Sequence, residues 1–435
     1  MRNIVLAQSV QKILQYAGNK VKIVNINNDR GIHICKSMLA YKKFGNNKTP
    51  QTEKIKSDHF VGDFYVKFAL AEKEDPSLQK EAQELLLKWE SGDKRTMTIW
   101  KKMNTWALNG FNKTYKKFNL KIDKQYYEST LYKNGREIIQ NQFKKGIVKR
   151  KDDGALYIDL SEKGLGEKIL LRADGTSIYI TQDIFLALER KKEFNFDRML
   201  YVVANEQEHH FKALFEILKR FGYSWADKLE HLSYGLVLLE SGRMKSREGT
   251  VVDADDLISE LESLARKELD RRYPDLSAKE KVDRASKIAM SALRYHFLKI
   301  DRGKDTLFKP EESISFEGNT GPYLLYTYAR AKSILRRAKY KKSSFKIPEL
   351  SHEEKRLVVL LSKFPEELKK AYDALAPNII ANYAYQISQN FNEYYHKNKI
   401  IGSDKEEFCL VLVDAFSQVL KNSLNLLGIE VLEQM

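Results

Sequence analysis

The chain has 435 residues, of which 43% are hydrophobic, so it is too long for one ordinary core and has normal globular composition. No apolar run approaches the roughly 18 residues needed to cross a bilayer, and Met1–Val10 lacks the basic start and apolar core of a secretory signal. A net charge of +16 favours a polyanionic partner such as RNA, although a lysine-rich composition alone would carry the same charge; two distant cysteines, Cys35 and Cys409, exclude a disulfide framework and suit a reducing, cytoplasmic setting.

In chain order, residues 4–17 place Ile4, Val5, Val10, Ile13 and Leu14 at helical spacing, with Gly18-Asn19 as a stop. Val21–Ile26 reads as a buried strand, followed by the polar loop Asn27-Asn28-Asp29-Arg30-Gly31. Helix, short strand and polar loop is the rhythm of an open α/β fold, where ligands sit outside the carboxyl ends of strands. Residues 45 to about 145 read as a mostly helical insertion, with one long amphipathic helix over Glu72–Trp89. Short alternating segments follow: ALYIDL, KILLRA and SIYITQ, the last leading into the helix IFLALERK. Arg198–Asn205 is a second buried strand that ends in the cluster 206–210, with a helix running on to Phe221. From about residue 280 the chain reads as nearly all helix, and a domain break is set near 305. The predicted fold is therefore a Rossmann-like parallel-sheet domain over 1–305, opening without its first strand, and an all-α helical bundle over 306–435.

Several constellations could carry chemistry. Ser241–Thr250 packs Arg243, Lys245 and Arg247 into a short glycine-flanked loop, which suits a polyphosphate or is a solvated basic loop. Tyr179 and Asp183 stand four apart at a strand-to-helix junction; they form a receptor for a planar cation, or Asp183 caps the helix. The adjacent His209 and His210 point to different faces, so the 206–210 cluster reads better as substrate contacts than as a metal site. Phe316–Arg330 is a glycine-rich turn entering a helix on which Tyr323, Tyr326 and Arg330 recur at helical spacing. That pattern suits stacking on unpaired RNA bases or buried tyrosines in a helix interface.

Taken together and in order, these segments resemble the arginyl-tRNA synthetases, a class I family. Met244-Lys245-Ser246-Arg247-Glu248-Gly249 is similar to the second signature loop of that class, and Phe316–Arg330 to the opening of the anticodon-binding domain. Leu424–Met435 resembles the family's ending and Ile26–Ile34 the loop after its second catalytic strand. The resemblance implies ATP-dependent activation of L-arginine to arginyl-adenylate and transfer to tRNA(Arg), with ATP accompanied by Mg²⁺, no resident metal, and a cytoplasmic monomer. It further implies arginine binding by Glu128, Tyr179, Asp183 and Gln207. Catalytic charge would come from Arg243, Lys245 and Arg247, and ATP contacts from Met244, Lys245, Ser246 and Arg247. Tyr323, Tyr326, Arg330 and Met435 would contact tRNA.

One departure stands out: no His-x-Gly-His occurs anywhere, although the family carries that ATP signature where this chain starts. The expectation is an arginyl-tRNA synthetase truncated past that signature, with weak or no arginine activation. The alternatives are a catalytically impaired tRNA-binding paralogue and, from another class, a ligase making a small aminoacyl compound without tRNA.

Overall fold

A computed structural model describes residues 1–132, 134–238, 253–341 and 347–435. By packing, the chain divides into two compact units, described in turn.

The first unit holds Met1–Val21 together with 234–238 and 253–435 among the described residues. It begins with α1 (Arg2–Tyr16), whose Val5, Leu6, Val10 and Ile13 are buried as their spacing predicts. The second unit, Lys22–Ser233, opens with β1 (Val24–Asn27) and α2 (Ile32–Phe44). Gly31 starts α2 at φ 111°, a left-handed value that only glycine adopts cheaply, and a Cβ there would lie 3.1 Å from the His33 ring. The helical insertion follows as α3 (Pro50–Glu53), α4 (Ser57–Glu74), α5 (Ser77–Glu90) and α6 (Lys94–Lys117). The single long helix expected over 72–89 is interrupted. Pro76 has no N–H to continue the ladder, and the Asp75 carboxylate accepts from the Ser77 amide (3.0 Å) and hydroxyl (2.6 Å), starting a new helix. Cys35, Met38, Phe60, Phe64, Phe68 and Leu78 join α2 to the insertion in one buried cluster.

The chain then returns to the sheet in β2 (Lys124–Tyr127), which pairs with β1 in parallel, Asn27 opposite Tyr127. Next come α7 (Glu128–Leu131), α8 (Gly135–Lys144) and the antiparallel β3 (Lys149–Arg150), β4 (Leu156–Asp159) and β5 (Glu167–Leu171). The expected strand SIYITQ is largely a helix. Ser177 alone bridges Leu171, and α9 (Tyr179–Phe194) begins two residues later. Ile180, Ile184 and Ala187 recur at helical spacing and bury against Leu170 and Leu171, so packing favours the helix over strand propensity. Finally β6 (Met199–Tyr201), α10 (Glu208–Arg220) and β7 (Leu229–His231) complete this unit, β6 and β7 pairing in parallel.

Back in the first unit, β8 (Val237–Leu238) pairs in parallel with β9 (Thr306–Leu307), across α11 (Ala254–Arg272) and α12 (Ala278–Leu298). α11 starts the helical region earlier than the expected residue 280. After α13 (Pro310–Ser313) come α14 (Gly321–Arg337), α15 (His352–Ser362), α16 (Phe364–Ala374), α17 (Pro377–Lys397) and α18 (Glu406–Leu426). A Cβ on Gly321 would fall 2.2 Å from the Ser291 carbonyl, so glycine is what lets α14 start against α12. Phe391 of α17 and Phe416 of α18 stack at 3.9 Å. α1 packs against α12, α16, α17 and α18, and its Ser9 hydroxyl donates to the Leu426 carbonyl at 2.9 Å. Packing therefore joins α1, α11 and α12 to the C-terminal helices, whereas the sequence reading set one break near 305.

Candidate functional site

Several residues with site chemistry in the second unit stand after the carboxyl ends of the parallel strands β1, β2 and β6, where α/β folds leave loops free for ligands, whereas Tyr179 and Asp183 follow the antiparallel β5. Asn28-Asp29-Arg30 follows β1, Glu128 follows β2, and Asn205–Gln207 follows the β6 strand in a short 3₁₀ turn. Glu128 is the first residue of α7 and is buried, and its Oε2 accepts from Asn28 Nδ2 at 3.0 Å. His33 lies in its field: burial pulls the imidazole below its ordinary pKa while the Glu128 charge opposes the shift.

Tyr179 and Asp183 both stand at the start of α9, one helical turn apart and on one face. The expected junction of strand and helix is thus a helix N-terminus, and among described residues the Ile178 cap makes no side-chain bond there. Asp183 is not that cap. Its carboxylate meets His210 Nε2 at 2.7 Å, tying α9 to the first turn of α10. Its charge also adds to the effect of burial on Tyr201, whose phenol is pushed up to about 12. Tyr179 is exposed, leaving its ring free at the rim. Gln207 is exposed at the N-cap position of α10, where its side chain makes no capping bond among the described residues, three residues before His210. α7 and α9 pack together through Leu131 and Leu186, so the two carboxylates ride on neighbouring elements.

The basic loop 243–247, with Arg243, Met244, Lys245, Ser246 and Arg247, lies outside the described residues.

In the first unit, the Tyr323–Arg330 face of α14 meets α17. Asn392 Nδ2 donates to the Tyr323 hydroxyl (2.8 Å) and to Thr327 Oγ1 (3.1 Å), while Arg330 donates to Asn392 Oδ1 at 2.6 Å. The Arg330 guanidinium lies 4.9 Å from the Tyr326 ring centre and 5.2 Å from that of Tyr395. Tyr385 stands edge-on to Tyr323 at 5.7 Å. The result is a half-buried aromatic and guanidinium surface that can stack on planar bases. Met435 ends the chain half-buried, two residues beyond Glu433, whose charge adds to the burial that pushes Tyr328 up to about 12.

Sequence reasoning did not single out Asn28, Asp29, Asn392, Tyr385 or Tyr395 as site residues. The first two sit in a polar loop whose position after a strand marks it for ligands, but the loop's sequence does not single out either residue. The α17 residues are separated from α14 by more than fifty positions and gave no local signal.

Residues 1–309 match the family described as "tRNA synthetases class I (R), catalytic domain", and residues 324–435 the "DALR anticodon binding domain". A protein named "Arginine--tRNA ligase" from Treponema denticola is 44% identical over 448 residues, covering 100% of this chain and 76% of its own length. One of the same name from Flavobacterium psychrophilum is 43% identical, with the same coverage. Among solved structures, the Thermus thermophilus arginyl-tRNA synthetase superposes with a TM-score of 0.85 at 27% identity, over 100% of this chain and 79% of that one.

Proposed function

The chain belongs to the class I arginyl-tRNA synthetases, and from that premise we propose how its own residues take the substrates. The function is that of an arginine–tRNA ligase, and ATP use is characteristic of the class. Relatives named as ligases along the whole chain favour this over a tRNA-binding paralogue without activation.

The arginine side chain is received by Glu128 and Asp183, with Tyr179 at the rim and Gln207 reaching from the start of α10. The supporting observation is the pair of carboxylates on adjacent packed elements, one held by Asn28 and the other by His210. A guanidinium offers five planar donors to two such acceptors, whereas a lysine ammonium is a point donor that leaves one unsatisfied. Binding energy spent this way holds the arginine carboxylate in line with the α-phosphate of ATP. Arg243, Lys245 and Arg247 carry the positive charge that the phosphates demand, with Met244 and Ser246 in the same loop; Mg²⁺ arrives with ATP and screens its phosphates.

tRNA(Arg) is read by Tyr323, Tyr326 and Arg330, with Met435 at the edge of that domain. Support comes from the stacked Arg330 between two tyrosines and from the match of 324–435 to an anticodon-binding domain. On function, the division falls near 305, between a catalytic core over 1–305 carrying the insertion 45–145 and an anticodon-binding domain over 306–435. The working form is a cytoplasmic monomer; no helix of the described residues is long and apolar enough to cross a membrane.

The test is arginine binding by calorimetry. Asp183→Asn keeps the shape and removes the charge, and is expected to weaken arginine about a hundredfold, the scale of a charge-assisted bidentate pair. Unaltered arginine affinity in a folded Asp183→Asn protein would refute the assignment.

A further inference from the structure

The pocket carboxylate Glu128 stands one residue beyond the point where β1 and β2 stop pairing. The last backbone pair is Asn27 opposite Tyr127. Beyond it the same register continues through side chains. Asn28 Nδ2 donates to Glu128 Oε2 (3.0 Å), and the Asp29 carboxylate accepts from the Ser129 amide (2.8 Å) and hydroxyl (2.6 Å). Asp29 is only 8% exposed, so its carboxylate is committed to the first turn of α7. The carboxylate thereby satisfies the Ser129 N–H at the start of α7, next to Glu128 in the chain.

Asp29 is itself held from the other side. Its carbonyl accepts two hydrogen bonds from α6 of the insertion, from Trp100 Nε1 (2.7 Å) and Asn104 Nδ2 (3.1 Å). These residues are four apart and so share one helix face. Arg30, next in the loop, pairs with Glu90 at 2.5 Å and lies 3.8 Å from the centre of the Tyr132 ring. Three consecutive loop residues thus grip α7, α6, and the end of α5 with Tyr132. A loop after a strand is normally the softest part of an α/β unit; this one is tethered on every side.

We propose that Trp100 and Asn104 of the helical insertion are positioning residues for the arginine pocket, acting on Glu128 through Asp29 and Ser129. They touch no substrate. Their role is to hold the Asp29 backbone at the distance from which its carboxylate can anchor the start of α7. The inference rests on Glu128 being an arginine ligand.

The experiment is a double-mutant cycle read by arginine titration. Trp100 stands edge-on to Trp89 at 5.5 Å, so Trp100→Phe keeps an aromatic ring there and removes the N–H, Asn104→Ala removes the second donor, and Ser129→Ala cuts the same line at its other end. The pair W100F/N104A is expected to weaken arginine about tenfold and Ser129→Ala about threefold, the scale of one or two hydrogen bonds. All three changes together should weaken it no more than the pair does, because residues in one line are non-additive. Unchanged arginine affinity in folded W100F/N104A overturns the proposal, and so does full additivity with Ser129→Ala. Should the pair fail to fold, Trp100→Phe alone carries the same test at about threefold. Glu128→Gln separates the two layers. If it binds arginine like the native chain, the pocket assignment fails; if it weakens arginine while W100F/N104A does not, only the present inference fails.

Discussion

The proposed arginine site and the α14–α17 face proposed for tRNA are built in opposite ways. The arginine site draws on Asn28, Glu128, Asp183, Gln207 and His210, from four loops and helix starts scattered over nearly two hundred residues, and its groups are two carboxylates, two amides and one imidazole. The α14 face is a single helical stripe, Tyr323, Tyr326 and Arg330, completed by one turn-spaced pair, Asn392 and Tyr395, on one neighbouring helix. A small planar cation must be met on several sides at once, so several chain segments have to converge on it. An extended RNA loop needs only a flat, cationic, aromatic surface, and one helix with one partner supplies it. The two sites also lie in different packing units, so each should fail without the other.

That independence can be broken in order of expected size. The largest effect is the hundredfold loss of arginine affinity in Asp183→Asn, and the comparison demands that its tRNA affinity stay within about twofold. Next, Arg330→Ala removes the guanidinium between Tyr326 and Tyr395 and is expected to weaken tRNA binding about tenfold in filter assays, with arginine titration unaltered. Loss of both affinities in either variant would merge the two regions into one. A third, smaller effect concerns the helical unit alone. Burial beside Phe308 pulls the His296 imidazole down to about 4. A histidine held neutral in the fold but free to protonate when unfolded costs stability as pH falls below about 6.5, and the loss is complete near 4. Thermal melts should therefore show the melting temperature falling between pH 7 and pH 5, less so in His296→Gln. Smallest of all, Asn392→Ala frees the Tyr323 hydroxyl and one Arg330 donor, and about a threefold loss of tRNA affinity is expected, smaller than for Arg330 itself. An equal or larger loss would make Asn392 a contact in its own right.

Much of this was legible along the chain. The α1 pattern, the strand before Asn27, the Tyr179–Asp183 spacing and the glycine turn before α14 all depend on neighbours a few residues away. Local chemistry also misled where two tendencies competed. β-branched and aromatic SIYITQ reads as a strand, yet burial of Ile180 and Ile184 against β5 makes it the start of α9. The amphipathic run 72–89 reads as one helix, yet Pro76 divides it.

By itself the sequence determined the class of chemistry: which segments are apolar at which period, where carboxylates and aromatic–arginine stripes stand, and the order of motifs that identifies the family. Spacing within one turn or one strand is enough for that, because the backbone geometry of helix and strand is universal. Only the tertiary structure decided that Asp183 is tied to His210 rather than capping its helix, and that Asn392 completes the α14 face. It alone revealed that Trp100 and Asn104 hold Asp29, which in turn holds Ser129. Those pairings cross 27 to 100 positions of chain. Loop closure over such distances is set by the packing of whole elements, and no local pattern encodes it.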